Sequence, residues 1–377
     1  MSTTSQLACT PLHDWHATHG ARMVDFAGWS MPVQYTSIVA EHQATRKAVG
    51  LFDISHMGRL EIYGPAATAT LDRLLTRRIT DMKLGQIRYS LVCNEAGGIL
   101  DDVLVYRLTE DRDRAPSYTL VVNASNREKI VHWLKQHRDK DTQFEDRTLS
   151  QAMVAVQGPR AVELVDKVFG GTLGSELSSM RYYTGASIKL EGKDAYLSRT
   201  GYTGEDGCEI ICGAQIAVTI WEKLAVAAAH CGGMAAGLAS RDTLRLEAGM
   251  PLYGHELSEA INPVQAGLGF AMNLRERDFL GRDAIARIQD QGGQPVRIGL
   301  QVAGRRVARE GCRLLRGETE IGTVTSGTFS PTFDEPIAMG YVKESAAAVG
   351  TTLSVDIRGQ QQTATVIPLP FYQRGKG

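Results

Sequence analysis

Asn94-Glu-Ala-Gly-Gly-Ile-Leu-Asp-Asp-Val-Leu-Val-Tyr-Arg107 is a glycine-rich turn running into an apolar strand. Strand alternation puts Leu100, Asp102, Leu104 and Tyr106 on one face and Ile99, Asp101, Val103 and Val105 on the other. Each face therefore carries one carboxylate among apolar neighbours. An ionised carboxylate is costly to bury without partners, so a chain keeps one there when it is paired, at an edge, or in use. The bland alternative is a pair of aspartates standing in water at the end of a hairpin, because turn-adjacent aspartates are common.

Working outward, the same period of two recurs at 59–63, 118–122 and 186–190, which predicts half-buried antiparallel strands. Between them the period changes. Residues 36–49 read as a helix capped by Thr36 or Ser37, with Gly50 at the left-handed exit position; 66–77 and 214–230 read as helices by the same logic. Helices and strands mix without the repeated strand–helix–strand cadence of a parallel sheet, so an α+β fold is expected over a doubly wound one. Near Gln289 the composition shifts, and QDQGGQP reads as a polar, glycine-rich linker. Beyond it, 297–302, 320–324 and 337–342 are short strands of a small β-barrel or sandwich.

Several function classes are excluded by composition. With 377 residues and 43% hydrophobic residues the chain is long enough for two or three packed domains. Lysine plus arginine (41) nearly balances aspartate plus glutamate (42), and there is no dense basic run, so no footprint for nucleic acid is present. No apolar stretch is long enough to cross a bilayer. The six cysteines (Cys9, Cys93, Cys208, Cys212, Cys231 and Cys312) form no CxxC pair or zinc-type spacing, and the opening residues lack a signal or transit pattern. A reducing bacterial cytoplasm, or a processed organellar form, is the expectation, with no metal.

Two further segments can carry chemistry. Ser198-Arg-Thr-Gly-Tyr-Thr-Gly-Glu-Asp-Gly-Cys-Glu-Ile210 crowds glycines and carboxylates into one connection, and Glu209 lies just inside the next strand. There it is either an exposed strand carboxylate or an acceptor of two parallel hydrogen bonds from an amidine-like edge such as a pterin ring presents. Gly237-Leu-Ala-Ser-Arg-Asp-Thr-Leu-Arg-Leu-Glu-Ala-Gly249 is helical by composition and stops at Gly249. Arg241 and Arg245 share a face there, and surface ion pairs with Asp242 and Glu247 explain them cheaply. Phe169-Gly-Gly-Thr-Leu-Gly174 lacks the spacing and the lysine of a phosphate loop and reads as an ordinary loop. His13, His16 and His19 lack the ligand set of a metal site, and His56 reads as a packed or hydrogen-bonded histidine.

Taken together these segments resemble the aminomethyltransferase family, the T-protein of the glycine cleavage system. The matching stretches are TPLHDWHATHGARMVDFAGWSMPVQY, GLFDISHMG, GGILDDVLVY, SRTGYTGEDGCEI, GLASRDTLRLEAGMPLYGHEL, NPVQAGLGF, IGTVTSGTFSP and IAMGYV, in the family's order over nearly the whole chain. The resemblance implies an α+β, three-domain folate-binding aminomethyltransferase fold with largely antiparallel sheets and a C-terminal β-barrel. Its domains would be a discontinuous folate-binding domain of 1–57 and 145–285, an inserted α+β domain of 58–144 and a barrel of 290–377. It implies tetrahydrofolate as co-substrate and the lipoylated H-protein as partner, with ammonia released and 5,10-methylenetetrahydrofolate formed. Asp102 falls on the family's catalytic aspartate, Glu209 on its pterin carboxylate and Arg241 on its ligand-contacting arginine. Tyr202, Met57, Tyr89, Leu104, Tyr106 and Asn123 fall at pocket-lining positions. Some relatives place a tyrosine from near the C-terminus against the ligand, and Tyr372 is the candidate here. Two rival readings share the architecture: a folate-dependent demethylase of sarcosine, dimethylglycine or a sulfonium compound, and a non-catalytic folate-binding accessory protein. The absence of a dinucleotide fingerprint and the intact GGILDD segment weigh against them.

Overall fold

The 94–107 segment closes a hairpin between Gln86–Cys93 and Ile99–Arg107, with Tyr89 opposite Leu104 and Leu91 opposite Asp102. Asn94 and Gly98 close the turn, and Gly97 takes the left-handed conformation that favours glycine (φ +84°). In the computed structural model, which describes residues 6–108, 115–173 and 176–375, this hairpin starts a five-stranded antiparallel sheet. Ser117–Val122, Gly58–Tyr63 and Gln143–Asp146 complete it in that order. Leu71 and Leu74 of the helix Ala67–Leu74, and Ile130 and Leu134 of Arg127–His137, pack on Leu60, Ile62, Val103, Val105 and Leu120. The strands at 58–63 and 117–122 are largely buried on both faces, because a second sheet packs on the side away from the helices, and so they are not the half-buried strands their alternation predicts.

That second sheet has six strands in the order Gly185–Leu190, Lys193–Ser198, Gly207–Gly213, Gln151–Gln157, Gly50–Asp53 and Met234–Ala235; only the last pair is parallel. Helices Ala161–Leu173 and Ala214–Ala229 cover one face, burying Phe169, Trp221 and Leu224 against Val154, Val156 and Ile210. The stretch at 169–173 is thus the end of a helix and not a loop, and Gly174 lies outside the described residues. Alternation turns Met153, Ala155 and Ile211 to the opposite face, where they meet Ile87, Tyr106 and Val121 of the first sheet and Leu244 of the helix Leu238–Glu247.

The last element group is a closed barrel: Val296–Val302, Glu335–Val342, Thr319–Ser330, Arg313–Arg316, Thr352–Ile357 and Gln360–Ile367, returning to the first. Gln289 to Gln291 belong to the helix Arg282–Gln291, so the linker before the barrel is shorter than its composition suggests. Helix Ile38–Lys47 is capped by Ser37, whose hydroxyl accepts from the Ala40 N–H at 3.1 Å. Gly50 does not end that helix in a left-handed turn. It opens a strand, and a Cβ there would lie 2.1 Å from Thr45 Oγ1, so close packing requires the glycine. Among the described residues no helix is long and apolar enough to cross a membrane.

Candidate active site

The site forms where the two sheets and the helix Leu238–Glu247 converge, and each wall is set by its own element. On the first sheet, Tyr89 Oη donates to Asp102 Oδ2 at 3.1 Å and Asn123 Nδ2 donates to Asp102 Oδ1 at 2.7 Å. The same amide donates to Asp101 Oδ1 at 2.8 Å, and Asp101 also accepts from the Asn123 N–H (3.0 Å) and Asn126 Nδ2 (2.6 Å). Asp101 is 0% exposed and accepts three hydrogen bonds, two on Oδ1 and one on Oδ2. Asp102 is less enclosed and keeps acceptor capacity for something else. Neither aspartate stands in water at the end of the hairpin, because Asn123 and Asn126 follow the neighbouring strand and fold over both. Burial first, and then the nearby Asp102 charge, push Asp101 up to about 8; burial pushes Asp102 up as well, against the pull of Asn123 and Tyr89. Carboxylates this close titrate as a pair.

On the second sheet Glu209 pairs with Ala155 on one side and Ser198 on the other. It is 5% exposed, so it is no surface carboxylate. Thr200 Oγ1 donates to Glu209 Oε2 at 2.5 Å, and Tyr106 Oη approaches the same oxygen at 3.4 Å across the sheet–sheet interface. Burial raises the Glu209 pKa while Thr200 and Arg241 hold it back.

The third wall is helical. Arg241 sits over the Tyr202 ring, 4.7 Å from guanidinium carbon to ring centroid, and its buried Nη1 has no hydrogen-bond partner. Burial lowers its pKa and Glu209 opposes that. Tyr202 itself is fixed by a 2.5 Å hydrogen bond to the Pro251 carbonyl. One turn on, Arg245 makes the expected pair with Asp242 at 2.8 Å, but from a buried position: it is 2% exposed and also pairs with Glu256 at 2.7 Å. Glu247 is buried too, against Arg46 and His42.

Met57 and Leu104 lie partly buried on the cluster between the sheets, beside Tyr106 and Phe52. His56 packs edge-on to Phe26 with Nδ1 unpaired, and burial above all pushes it down to about 3, so it is neutral at physiological pH. His16 is spent on Asp53 (2.9 Å) and Tyr35 (2.8 Å). Tyr372 lies under the Arg46 guanidinium at 3.8 Å, donates its N–H to the Glu247 carbonyl and packs on the 201–207 loop, while Arg374 pairs with Asp206 at 3.0 Å. Sequence reasoning missed Thr200 and Asn126, which carry no pattern of their own, and Phe270, which stacks on Tyr89 with 5.7 Å between ring centroids.

A reduced folate fits this donor set. Glu209 can accept from the amidine-like edge of a pterin, and the unpaired Arg241 Nη1 lacks only an acceptor, as a buried guanidinium nitrogen rarely does. The comparisons with known proteins agree with the architecture. Residues 12–276 match a family model described as the GCVT N-terminal domain, and residues 296–373 match the glycine cleavage T-protein C-terminal barrel domain. An aminomethyltransferase of Symbiobacterium thermophilum is 43% identical over 97% of each chain. One of Geobacillus thermodenitrificans is 42% identical over 97% of this chain and 99% of its own. The crystal structure of glycine cleavage system aminomethyltransferase T from Bartonella henselae superposes with a TM-score of 0.89 at 34% identity, covering 97% of this chain and 98% of that one. On these matches, which span both the sheets and the barrel, the chain belongs to the glycine cleavage T-protein family.

Proposed function

We propose that this chain takes the methylene carbon from the aminomethyl-dihydrolipoyl group of the H-protein to tetrahydrofolate, with Asp102 as the catalytic carboxylate. It is a tetrahydrofolate-dependent aminomethyltransferase of the glycine cleavage system. Tetrahydrofolate supplies the two nitrogens that receive the carbon; the chain's part is to bind, orient and handle the proton. In this reading Glu209 and Arg241 hold the pterin, with Tyr202, Met57, Tyr89, Leu104, Tyr106 and Asn123 lining its pocket. The three-domain division at 1–57 with 145–285, 58–144 and 290–377 belongs to the same proposal, supported by the separate apolar cores of the two sheets and the barrel. So does a cytoplasmic setting.

The observation that carries the role of Asp102 is the contrast with its neighbour. Asp101 is fully buried and accepts three hydrogen bonds, from the Asn123 N–H, the Asn123 amide and the Asn126 amide, whereas Asp102 accepts one on each oxygen, from Tyr89 and Asn123, is less enclosed and keeps lone pairs open. A carboxylate fixed in this way accepts a proton and stabilises a developing positive charge without reorganising, which is worth roughly 10²- to 10⁴-fold for the acid–base part. Holding reactants in line adds ~7 to 11 kcal/mol in the best-oriented cases.

Single-turnover assays with aminomethylated H-protein, run beside folate titrations, test this. Asp102→Asn lowers turnover by at least ~10²-fold with folate binding still measurable, while Glu209→Ala chiefly weakens folate binding, by more than the ~1 kcal/mol of a neutral hydrogen bond. Near-normal turnover in Asp102→Asn removes that residue from the chemistry.

A further inference from the structure

Successive residues of a strand point to opposite faces, so Asp101 and Asp102 have no built-in reason to share a partner, yet both reach the side-chain amide of Asn123. They share it unequally. Asp102 Oδ1 receives a single hydrogen bond from Asn123 Nδ2, at 2.7 Å, and the Asp102 carbonyl a longer one at 3.2 Å. Asp101 takes two different donors of that residue, the backbone N–H on Oδ2 at 3.0 Å and Nδ2 on Oδ1 at 2.8 Å. A side chain gripped together with its own backbone by one carboxylate has its rotamer set, and Asn126, 2.6 Å from the same Oδ1, holds that carboxylate in turn. Asn123 also stands at the N-cap of the short 124–126 turn, where an asparagine oxygen ordinarily accepts from the turn's own N–H groups; here it makes no such bond. Its amide has given up the local partner for the two carboxylates.

Charge is not what Asp101 contributes. It is 0% exposed, and no cation pairs with it among the described residues. The titratable groups facing the pair are phenols: Tyr89 on Asp102, Tyr202 close enough to feel the Asp102 charge, and Tyr253 close enough to feel that of Asp101. Lys129 donates to Tyr253 at 2.8 Å and to Glu259 at 3.0 Å, so that amine is already engaged. Burial above all, and then the Asp102 charge, push Asp101 up to about 8, so in the acid range it is neutral. Three accepted hydrogen bonds leave one position on Oδ2, which is room for that proton. In that range Asp101 acts on its neighbour through Asn123 and not as a second negative charge.

We propose that Asp101 is a positioning residue of the site: it clamps Asn123 by backbone and side chain, so that the second N–H of the amide is fixed on Asp102 Oδ1. The inference rests on the reading of Asp102 as the catalytic carboxylate. A donor held in place favours the ionised form of the group it points at, so the clamp keeps Asp102 ready to accept a proton in spite of its burial.

The acidic limb of the kcat/KM profile, measured with the full chain, reads the clamp. Asp101→Ala removes both arms and moves the limb up by about one pH unit, a ten-fold change in proton affinity. Asp101→Asn keeps the Oδ1 arm and moves it part of the way. Asn123→Ala moves it as far as Asp101→Ala does, and combining the two moves it no further. A limb that stays put while urea stability falls makes Asp101 a structural residue only, and a limb that moves down makes it a neighbouring charge. Either result overturns the inference, as does a further shift in the double variant, which shows that Asp101 does not act through Asn123. Where Asp101→Ala does not fold, Asp101→Asn carries the test beside neutron diffraction from a wild-type crystal: the Nδ2 hydrogens of Asn123 are expected on both carboxylates, and its carbonyl oxygen turned toward either one overturns the inference. Near-normal turnover in Asp102→Asn is a separate result and strikes the reading of Asp102 itself.

Discussion

At Asp102 one side-chain amide, that of Asn123, reaches two carboxylates at once, 2.7 Å from one and 2.8 Å from the other. Two charges so close in a buried place cost more than one, and the pair resists losing its second proton. Because Asp102 is raised by burial, a reaction that needs it ionised loses rate as pH falls through a value above the ordinary 3.8. The acidic limb of kcat/KM is therefore expected above that value, and a limb at or below it removes the buried-pair account. Much of this was legible in the sequence: alternation marks Asp101 and Asp102 as carboxylates among apolar neighbours. Which of the two does chemistry came only from the family resemblance. Their asparagine donors, 21 to 25 residues further along the chain, leave no trace in local pattern. For Glu209 the segment was conspicuous and holds its partner Thr200, but only folding brings Tyr106 across from the other sheet.

The hairpin that carries Asp102 is itself held by a backbone approach. The Ile99 N–H donates to the Ile261 carbonyl at 3.0 Å, and a Cβ on Gly98 would lie 2.0 Å from the Glu259 carbonyl oxygen. Backbone on both sides cannot yield as a flexible side chain does. Gly98→Ala is thus expected to destabilise the protein by ~1–3 kcal/mol, the usual range for overpacking, and to lower turnover more than folate affinity, because the shift falls on the strand bearing Asp102. Urea denaturation read beside kinetics checks both, and a variant as stable as the wild type shows that the 259 loop moves freely. Helix positions were readable from period and caps, as at Ser37 and at Gly249 (φ +64°). What misled was glycine kept for space and not for its backbone angle, as at Gly50; Gly98 is a second glycine kept for space. Sequence does not separate those two uses, since the atoms that would collide lie elsewhere in the chain.

Across the whole molecule the helix Leu238–Glu247 ties barrel to sheets. Arg241 looks into the site, Arg245 donates to Ser326 of the barrel at 2.8 Å, and Glu247 accepts from Ser330 (2.5 Å) and Thr332 (2.7 Å) as well as Arg46 (2.8 Å). Burial pushes the Glu247 pKa up, but His42, Arg46 and Ser330 outweigh it and hold it down to about 2. A carboxylate lowered from 4.5 contributes stability that is complete above the unfolded value and is lost as pH falls from about 4.5 to 2. By that linkage it supplies on the order of 3 kcal/mol at neutral pH. Glu247→Gln should therefore differ from the wild type by that order at pH 7 and by much less near pH 3, with both measured by denaturant titration. A gap that stays constant over this range refutes the linkage. Here the sequence misled most: Arg245 and Glu247 look like ordinary solvent-facing charges because nothing local tells that a barrel begun fifty residues later will cover them.

Tyr372 and Arg374, clasped by Arg46, Glu247 and Asp206, bring the tail of the chain back against the loop that bears Tyr202. An affinity handle fused directly behind them would press on one wall of the proposed folate pocket, so a long spacer belongs there. Trimming with a carboxypeptidase would loosen that wall while leaving every lining residue in place.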